Sequence, residues 1–108
     1  MRIELDVFSG RPNPRWELDE SQSRELLQIQ ERLELSRSES AQPPALGYRG
    51  FLYSDASGPV RAYRGHVKTR DALYADPSLR TEHYLLERLP AQYATLRARI
   101  ASELTNVG

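Results

Sequence analysis

The chain has 108 residues, no cysteine, a hydrophobic fraction of 39% and a formal net charge of zero. This length is typical of one domain, so we expect residues 1–108 to form a single globular domain with a modest core. The lack of cysteine excludes disulfides, thiolate metal sites and a thiol nucleophile, and no apolar run approaches the ~20 residues that span a bilayer. The charged N-terminus is unlike a signal peptide, so the sequence predicts a cytoplasmic protein without a membrane role.

The first predicted element is a strand over residues 2–8, where apolar and charged side chains alternate. The segment Phe-Ser-Gly-Arg-Pro-Asn-Pro-Arg-Trp follows at residues 8–16. Pro12 and Pro14 fix their own φ and restrict the residues before them, so this segment should be stiff and extended. Trp16, the only tryptophan of the chain, is predicted to anchor the segment by burying its ring.

The polar side chains of this segment are a candidate recognition surface. Alternation along an extended run places three of them on the side opposite the prolines. These candidate binding residues are Arg11, Asn13 and Arg15. Planar arginine donors on a stiff frame suit a carboxylate, a phosphate or an extended peptide. The alternative is a purely structural segment, with its arginines solvated or paired with Asp6 or Glu17.

A helix is predicted over residues 20–34. Asp19 is a suitable N-cap, and Gln22 three positions later completes a capping-box pattern. Apolar residues recur at helical spacing at Leu26, Ile29 and Leu33. Residues 36–44 are polar and end in a proline pair, which indicates a surface loop.

The strongest hairpin pattern lies in the middle of the chain. Residues 48–53 and 60–67 favour strands and are separated by turn-forming residues. Gly50 and Gly65 inside these strands indicate bulges or a close backbone approach. Residues 69–75 are either a further short strand or an irregular connection.

The C-terminal part is predicted to be helical. Asp76 is placed to cap a helix that has Pro77 at its first position. A stripe of apolar residues then recurs every seven positions, at Leu79, Leu86, Tyr93 and Ile100. Pro90 interrupts the helix but not the stripe, so we expect a long helix that is kinked or broken near Pro90.

The elements follow the order β-α-β-β-α, which predicts an α+β fold. We expect a mostly antiparallel sheet of three strands, or four if residues 69–75 pair, with both helices on one face. The residues expected to be buried together are Ile3, Leu5, Val7, Leu26, Ile29, Leu33, Leu86, Tyr93, Leu96 and Ile100.

The sequence contains none of the common enzymatic signatures: no P-loop, no dinucleotide-binding glycine pattern, no nucleophile elbow and no zincin motif. His83 and Glu87 are four positions apart on the predicted helix and could offer two metal ligands, although a solvated pair is the commoner arrangement. We therefore predict no catalytic residue, no metal and no cofactor.

Charge is unevenly distributed along the chain. Residues 17–39 contain seven acids and three bases, whereas residues 47–70 contain five bases and one acid. Basic residues in the hairpin alternate with aromatic ones, a combination that suits single-stranded nucleic acid or an anionic ligand. The candidate binding residues of the hairpin are Arg49, Arg61, Arg64, His66 and Lys68. The sequence pI of about 6.7 argues against a nucleic-acid binder.

These observations predict a small binding or adaptor domain for a protein or peptide partner, such as an accessory subunit of a larger enzyme. The first alternative is a nucleic-acid or anion-binding module that uses the basic hairpin, residues 47–70. The second alternative is an enzyme without a recognisable motif.

Overall fold

The structure, a computed structural model that describes residues 1–39 and 42–105, has three α-helices and a seven-stranded antiparallel sheet. The first part of the chain forms β1 (Arg2–Leu5), β2 (Arg15–Glu17), α1 (Glu20–Glu31) and β3 (Glu34–Leu35). The middle part forms β4 (Phe51–Asp55), β5 (Gly58–Tyr63), β6 (His66–Lys68) and β7 (Leu73–Ala75). The last part forms α2 (Arg80–Glu87), a short 3-10 helix (Ala91–Tyr93) and α3 (Ala94–Thr105).

The strand order is β2-β1-β4-β5-β6-β7-β3, and every neighbouring pair is antiparallel. The α+β class is as predicted, but the expected sheet of three or four strands and the order β-α-β-β-α are wrong. The additional strands have only two or three residues each, which is too short for side-chain periodicity to reveal. One of them, β2, makes residues 6–14 the connection of a hairpin with β1 instead of an extended link to a helix.

The predicted return strand over residues 60–67 is divided by a tight turn into β5 and β6. Tyr63 pairs with His66, and the two residues between them have positive φ, 45° at Arg64 and 81° at Gly65. Positive φ at both central positions is the geometry of a type I′ hairpin turn. Arginine rarely adopts positive φ, so the sequence did not indicate a turn here. β7 shows that part of residues 69–75 is a strand.

The hairpin of β4 and β5 has its turn where predicted, although β4 begins at Phe51 rather than at residue 48 and β5 begins at Gly58. Its turn is held by Asp55, whose side chain accepts hydrogen bonds from the backbone nitrogen of Ser57 at 2.8 Å and from its hydroxyl at 2.7 Å. The predicted close approach at Gly50 is also present. A Cβ there would lie 2.5 Å from the carbonyl oxygen of Ala62, and φ is 102°.

Helix α1 begins at the predicted capping box. Asp19 accepts from the backbone nitrogen of Gln22 at 2.7 Å, and the Gln22 side chain accepts from the backbone nitrogen of Asp19 at 3.0 Å. The helix ends at Glu31 rather than at residue 34, because Glu34 and Leu35 pair with β7 as β3.

The C-terminal helix is broken near Pro90, as predicted, into α2 and α3 with the 3-10 helix between them. Asp76 is not the N-cap residue of α2. The helix begins at Arg80, and its N-cap is Leu79, which has a φ of 55°. The Asp76 carboxylate nevertheless accepts from the backbone nitrogens of Arg80 at 3.1 Å and Thr81 at 2.9 Å, so it satisfies the start of α2 from outside the helix.

The helices and one face of the sheet share a single core. The sheet contributes Ile3, Leu5, Phe51, Tyr53, Val60, Ala62 and Val67, and the helices contribute Leu26, Leu85, Ile100 and Leu104. Of the ten residues predicted to be buried, those fully buried are Ile3, Leu5, Val7, Leu26, Leu86 and Ile100. The others, partly buried against this core, are Ile29, Leu33, Tyr93 and Leu96. Side chains of the strands that alternate with the core residues point to the opposite face, which we call the open face.

Candidate functional site

A row of five side chains crosses the open face from β1 to β7. The register places Glu4 opposite Leu52, Leu52 opposite Arg61, Arg61 opposite Lys68, and Lys68 opposite Leu73. Two cations therefore lie side by side with a leucine on either side of them. The turn that separates β5 from β6 produces this arrangement, because it brings Lys68 back beside Arg61.

A cavity of about 310 Å³, the cationic pocket, lies over the centre of this row. Its polar lining includes Arg61, Lys68, His66 and Tyr63. Its apolar lining includes Leu52, Pro59 and Pro43. No aspartate or glutamate is among the described residues that line it. The cationic pocket therefore combines positive charge with an apolar wall, as binding sites for organic anions do.

Arg61 and Lys68 are like charges at directly paired positions of β5 and β6. Residues directly opposite have Cβ atoms about 4.5–5.5 Å apart, and like charges at such positions destabilise a sheet. Lys68 is exposed and forms no ion pair within residues 1–39 and 42–105. An anion that binds between the two cations would remove this repulsion.

The guanidinium of Arg61 is held on one side only. Its Nη1 donates to Asp6 Oδ2 at 3.0 Å and to the backbone oxygen of Arg49. Its Nε and Nη2 make no hydrogen bond to the part of the chain that the structure describes, and 34% of the side chain is exposed. The group is thus fixed in orientation while the edge formed by Nε and Nη2 remains available to a ligand.

Asp6 fixes Arg61 through a buried carboxylate. Its Oδ1 is also 2.8 Å from Nη2 of Arg49 and accepts from Nδ2 of Asn13 at 3.3 Å. Burial alone would raise the pKa of Asp6, but the hydrogen bonds and charges of Arg61 and Arg49 hold this pKa below its usual value. One ionised carboxylate therefore serves two arginines, and an excess of positive charge remains at the cationic pocket.

His66 also lines the cationic pocket. Its Nε2 lies 3.1 Å from Oγ of Ser36, and that hydroxyl donates to the backbone oxygen of Ser38 at 2.8 Å. Because the hydroxyl proton is committed to Ser38, we assign the imidazole proton to Nε2. Nδ1 is buried and has no hydrogen-bond partner within the described ranges.

The side chain of Asn13 makes hydrogen bonds within the β1–β2 connection. Its Oδ1 accepts from the backbone nitrogens of Val7 at 3.0 Å and Phe8 at 2.8 Å, and its Nδ2 donates to Glu4 at 2.9 Å. The hydrogen bond from Asn13 lowers the pKa of Glu4, and so do the hydrogen bond and the charge of Arg15, whereas burial acts in the opposite direction. Asn13 therefore ties the ends of the β1–β2 connection together rather than projecting from it.

The other predicted loop residues are separate from the cationic pocket. Arg15 pairs with Glu4, with its Nε 3.0 Å from Oε1, and Arg11 stacks on the Phe8 ring at 3.8 Å from its centroid. Trp16 is half-buried on β2 with its ring edge-on to Phe51, at a centroid distance of 6.4 Å. Arg15 therefore pairs with neither of the carboxylates considered from the sequence, Asp6 and Glu17.

Only some of the candidate binding residues of the hairpin line the cationic pocket. Arg49 donates to Asp6 and to the backbone oxygens of Ala45 and Phe8, and it does not line the cationic pocket. Arg64 is part of the turn between β5 and β6, and its side chain pairs with Glu103 at 3.2 Å. The hairpin residues that the structure brings together are Arg61, His66 and Lys68.

Sequence reasoning missed the apolar side of the cationic pocket. Leu52 alternates with the buried Phe51 and Tyr53, and this alternation was a sufficient signal that it faces the other way. Pro43 and Pro59 come from a loop and a strand start, and no local pattern connects them.

A buried carboxylate on α2 was also missed. Glu82 is 1% exposed and accepts from the backbone nitrogens of Arg64 at 2.9 Å and Gly65 at 3.0 Å. It also accepts from the Tyr48 hydroxyl at 2.5 Å. Burial and the adjacent carboxylate raise the pKa of Tyr48 well above its usual value, so this phenol keeps its proton and donates. Glu82 thereby holds the turn that positions β6.

The remaining candidates do not line the cationic pocket. His83 and Glu87 are exposed on α2, and no group of three metal-binding side chains occurs in residues 1–39 and 42–105. None of the helices in these ranges combines the length and apolar content needed to cross a membrane. Comparisons of the chain with known protein families, characterised proteins and solved structures find no match. Function is therefore inferred from the cationic pocket itself.

Proposed function

We propose that this domain is a binding module that holds an anionic group of its ligand in the cationic pocket, between Arg61 and Lys68. The observation that carries the proposal is the direct cross-strand pairing of these two cations beneath a pocket without an acidic lining residue. Such a pair destabilises the unliganded sheet and is relieved when an anion lies between the side chains. The bound anion also gains charge-assisted hydrogen bonds, which are stronger than neutral ones.

The size of the cationic pocket suits a small ligand group. A volume of about 310 Å³ lies at the lower end of the range for small-molecule sites. This space fits a free organic acid, or one acidic group presented by a protein or peptide partner. The predicted protein or peptide partner therefore stays compatible with the site, but contact would be made through the hairpin rather than through Arg11, Asn13 and Arg15.

The geometry gives less support to binding of single-stranded nucleic acid. That mode needs exposed aromatic rings on which bases can stack. The aromatic residues among the basic ones are all buried: Tyr48, Phe51, Tyr53 and Tyr63. A long nucleic-acid strand would also extend beyond a pocket of this size.

Isothermal titration calorimetry at low salt tests the proposal, with sodium benzoate, sodium acetate and inorganic phosphate as probes. We expect saturable binding of at least one anion, and affinity that falls as sodium chloride is added. Lys68→Met keeps the aliphatic stem and should weaken binding about tenfold, the effect of removing one partly desolvated charge. Arg70→Met removes an exposed cation that does not line the cationic pocket and should bind as the wild type does. Failure of all three anions to bind would overturn the proposal.

A further inference from the structure

The free edge of Arg61 defines the shape of the anion that it can bind. Nη1 is occupied by Asp6 and by the Arg49 carbonyl, which leaves the parallel N–H groups of Nε and Nη2. Two parallel donors match the two oxygens of a planar carboxylate in a bidentate pair. Because Asp6 already fixes the guanidinium, little conformational entropy is lost when the ligand binds.

An apolar wall lies immediately beside this edge. Leu52 is the cross-strand neighbour of Arg61 on β4, and Pro59 is two residues before Arg61 on the same face of β5. Residues two positions apart in a strand are about 7 Å apart, so this wall is within reach of a group attached to the bound anion. Pro43 lines the same cavity from the loop.

The apolar wall disfavours a phosphate group. A phosphate has more oxygens than the Arg61 edge and the Lys68 ammonium can satisfy together. Any remaining oxygen on the side of Leu52, Pro59 and Pro43 would lose hydration without gaining a donor. A carboxylate bound to the Arg61 edge has no such unsatisfied oxygen, and its hydrocarbon substituent gains from burial.

We propose that the ligand group is a carboxylate that carries an apolar substituent, with the carboxylate on Nε and Nη2 of Arg61 and near Lys68, and the substituent against Leu52 and Pro59. This inference rests on the proposed function and specifies the chemical class of its ligand. The same chemistry occurs in a small free carboxylic acid and in the carboxyl terminus of a peptide that ends in an apolar residue.

Calorimetric titrations with four probes test this assignment: N-acetyl-L-leucine, N-acetyl-L-leucinamide, acetate and inorganic phosphate. We expect N-acetyl-L-leucine to bind at least tenfold more tightly than acetate or phosphate, and the uncharged amide to give no measurable binding. Phosphate that binds as tightly as N-acetyl-L-leucine would overturn the carboxylate assignment and leave the anion-binding function standing. An amide that binds as well as the acid, or no binding of any probe, would overturn both.

Two variants separate the two halves of the ligand. Arg61→Lys keeps a charge for Asp6 but loses the bidentate edge, so affinity for N-acetyl-L-leucine should fall about tenfold. Leu52→Ala should weaken N-acetyl-L-leucine about fivefold and leave acetate unchanged, because acetate has almost no substituent to bury. Equal weakening of both acids in Leu52→Ala, or unchanged affinity for N-acetyl-L-leucine in both variants, would contradict the proposed placement. Arg70→Lys is the matched control.

A last titration distinguishes the sources of the carboxylate. The probe is the acetylated tetrapeptide Ala-Ala-Ala-Leu with a free carboxyl terminus. Binding at least as tight as that of N-acetyl-L-leucine supports the carboxylate assignment and identifies a peptide terminus as the ligand. Clearly weaker binding of the tetrapeptide, with N-acetyl-L-leucine still bound, supports a small free acid.

Discussion

Arg61 and Lys68 face each other across β5 and β6 as direct register partners, and within the described part of the chain only Arg61 pairs with a carboxylate, that of Asp6. Opposite charges are the favourable choice at paired positions of a sheet, and like charges are destabilising. The Arg61–Lys68 pair is therefore unfavourable for stability. Side chains that reduce stability are common in the binding sites of proteins. Stability and ligand binding should change in opposite directions when this pair is altered.

The first prediction concerns Lys68→Met. Removal of the repulsion should raise the free energy of unfolding by about 0.5 kcal/mol, and Tm by about 3 °C. Lys68→Glu should raise both further, because it places an acid opposite Arg61. Thermal melts without ligand measure the effect, with Arg70→Met as a control that should not change Tm. A fall in Tm for both Lys68 variants would show that the ammonium has a stabilising role instead.

The second prediction concerns acid denaturation and Asp6. Its pKa in the folded state is below the usual value, so its stabilising effect is fully present above the unfolded-state pKa of about 3.9. That effect is lost as the pH falls from there through the folded-state pKa. Asp6→Asn should therefore be less stable than the wild type by about 2 kcal/mol at neutral pH, and the difference should shrink below about pH 4.

Urea unfolding at a series of pH values checks the prediction for Asp6. Asp71→Asn is a suitable control, because Asp71 is exposed and lies outside the ionic cluster of Asp6, Arg49 and Arg61. Its stability should follow that of the wild type across the series. A constant difference between Asp6→Asn and the wild type at all pH values would contradict the linkage.

The third prediction concerns Glu82 and the turn that it holds. Glu82→Gln replaces one acceptor oxygen with an N–H group that faces the backbone donor of either Arg64 or Gly65. We expect a loss of about 2 kcal/mol or more in the free energy of unfolding. Glu87→Gln on the same helix should have almost no effect, since that side chain is 73% exposed. Equal urea midpoints for the two variants would refute the assigned role of Glu82.

The fold was predictable where its signals are local. The capping box at Asp19 and the turn at Asp55 use side chains two or three residues from the groups they bind, and both are as expected. The short strand β2 is stabilised by pairing with β1 across a nonlocal connection, and β3 is stabilised by pairing with β7, which is distant in sequence. A strand of two or three residues is too short to show an alternating side-chain pattern, so the number of strands could not be predicted from the sequence.

The candidate site was predictable in its charge but not in its assembly. The basic residues of the hairpin are evident in the sequence, yet a continuous strand over residues 60–67 gives no reason to place Lys68 beside Arg61. The turn at Arg64 and Gly65 creates that pairing, and its geometry depends on the distant Glu82. The sequence therefore identified a set of basic candidate residues, and tertiary contacts determine which of them lie together.

The fourth prediction compares two glycines with positive φ. Gly50 has φ of 102°, and a Cβ there would lie 2.5 Å from the Ala62 carbonyl oxygen, whereas Gly10 has φ of 81° with no atom within 4 Å. Gly10→Ala should cost about 1 kcal/mol for the backbone conformation alone. Gly50→Ala should cost about 2 kcal/mol or more, because β4 must also move away from β5. Urea midpoints rank the two variants, and a larger loss for Gly10→Ala would contradict the close approach.

The last prediction separates anchors from surface residues in the β1–β2 connection. Trp16→Ala should destabilise most, by about 3 kcal/mol, because its ring packs on Phe51. Asn13→Ala should follow at about 1–2 kcal/mol, since two backbone N–H groups lose their acceptor. Arg15→Ala should cost at most about 1 kcal/mol, because its pair with Glu4 is half-exposed.

Arg11→Ala should change stability by less than about 0.5 kcal/mol, because the side chain is exposed and stacks only on Phe8. Chemical denaturation of the four variants gives the order directly. The cationic pocket contains none of these residues, so Arg11→Ala and Arg15→Ala should bind N-acetyl-L-leucine as the wild type does. If Arg11→Ala instead abolishes binding while the fold is intact, the connection takes part in recognition, and the assignment of ligand binding to the hairpin alone is wrong.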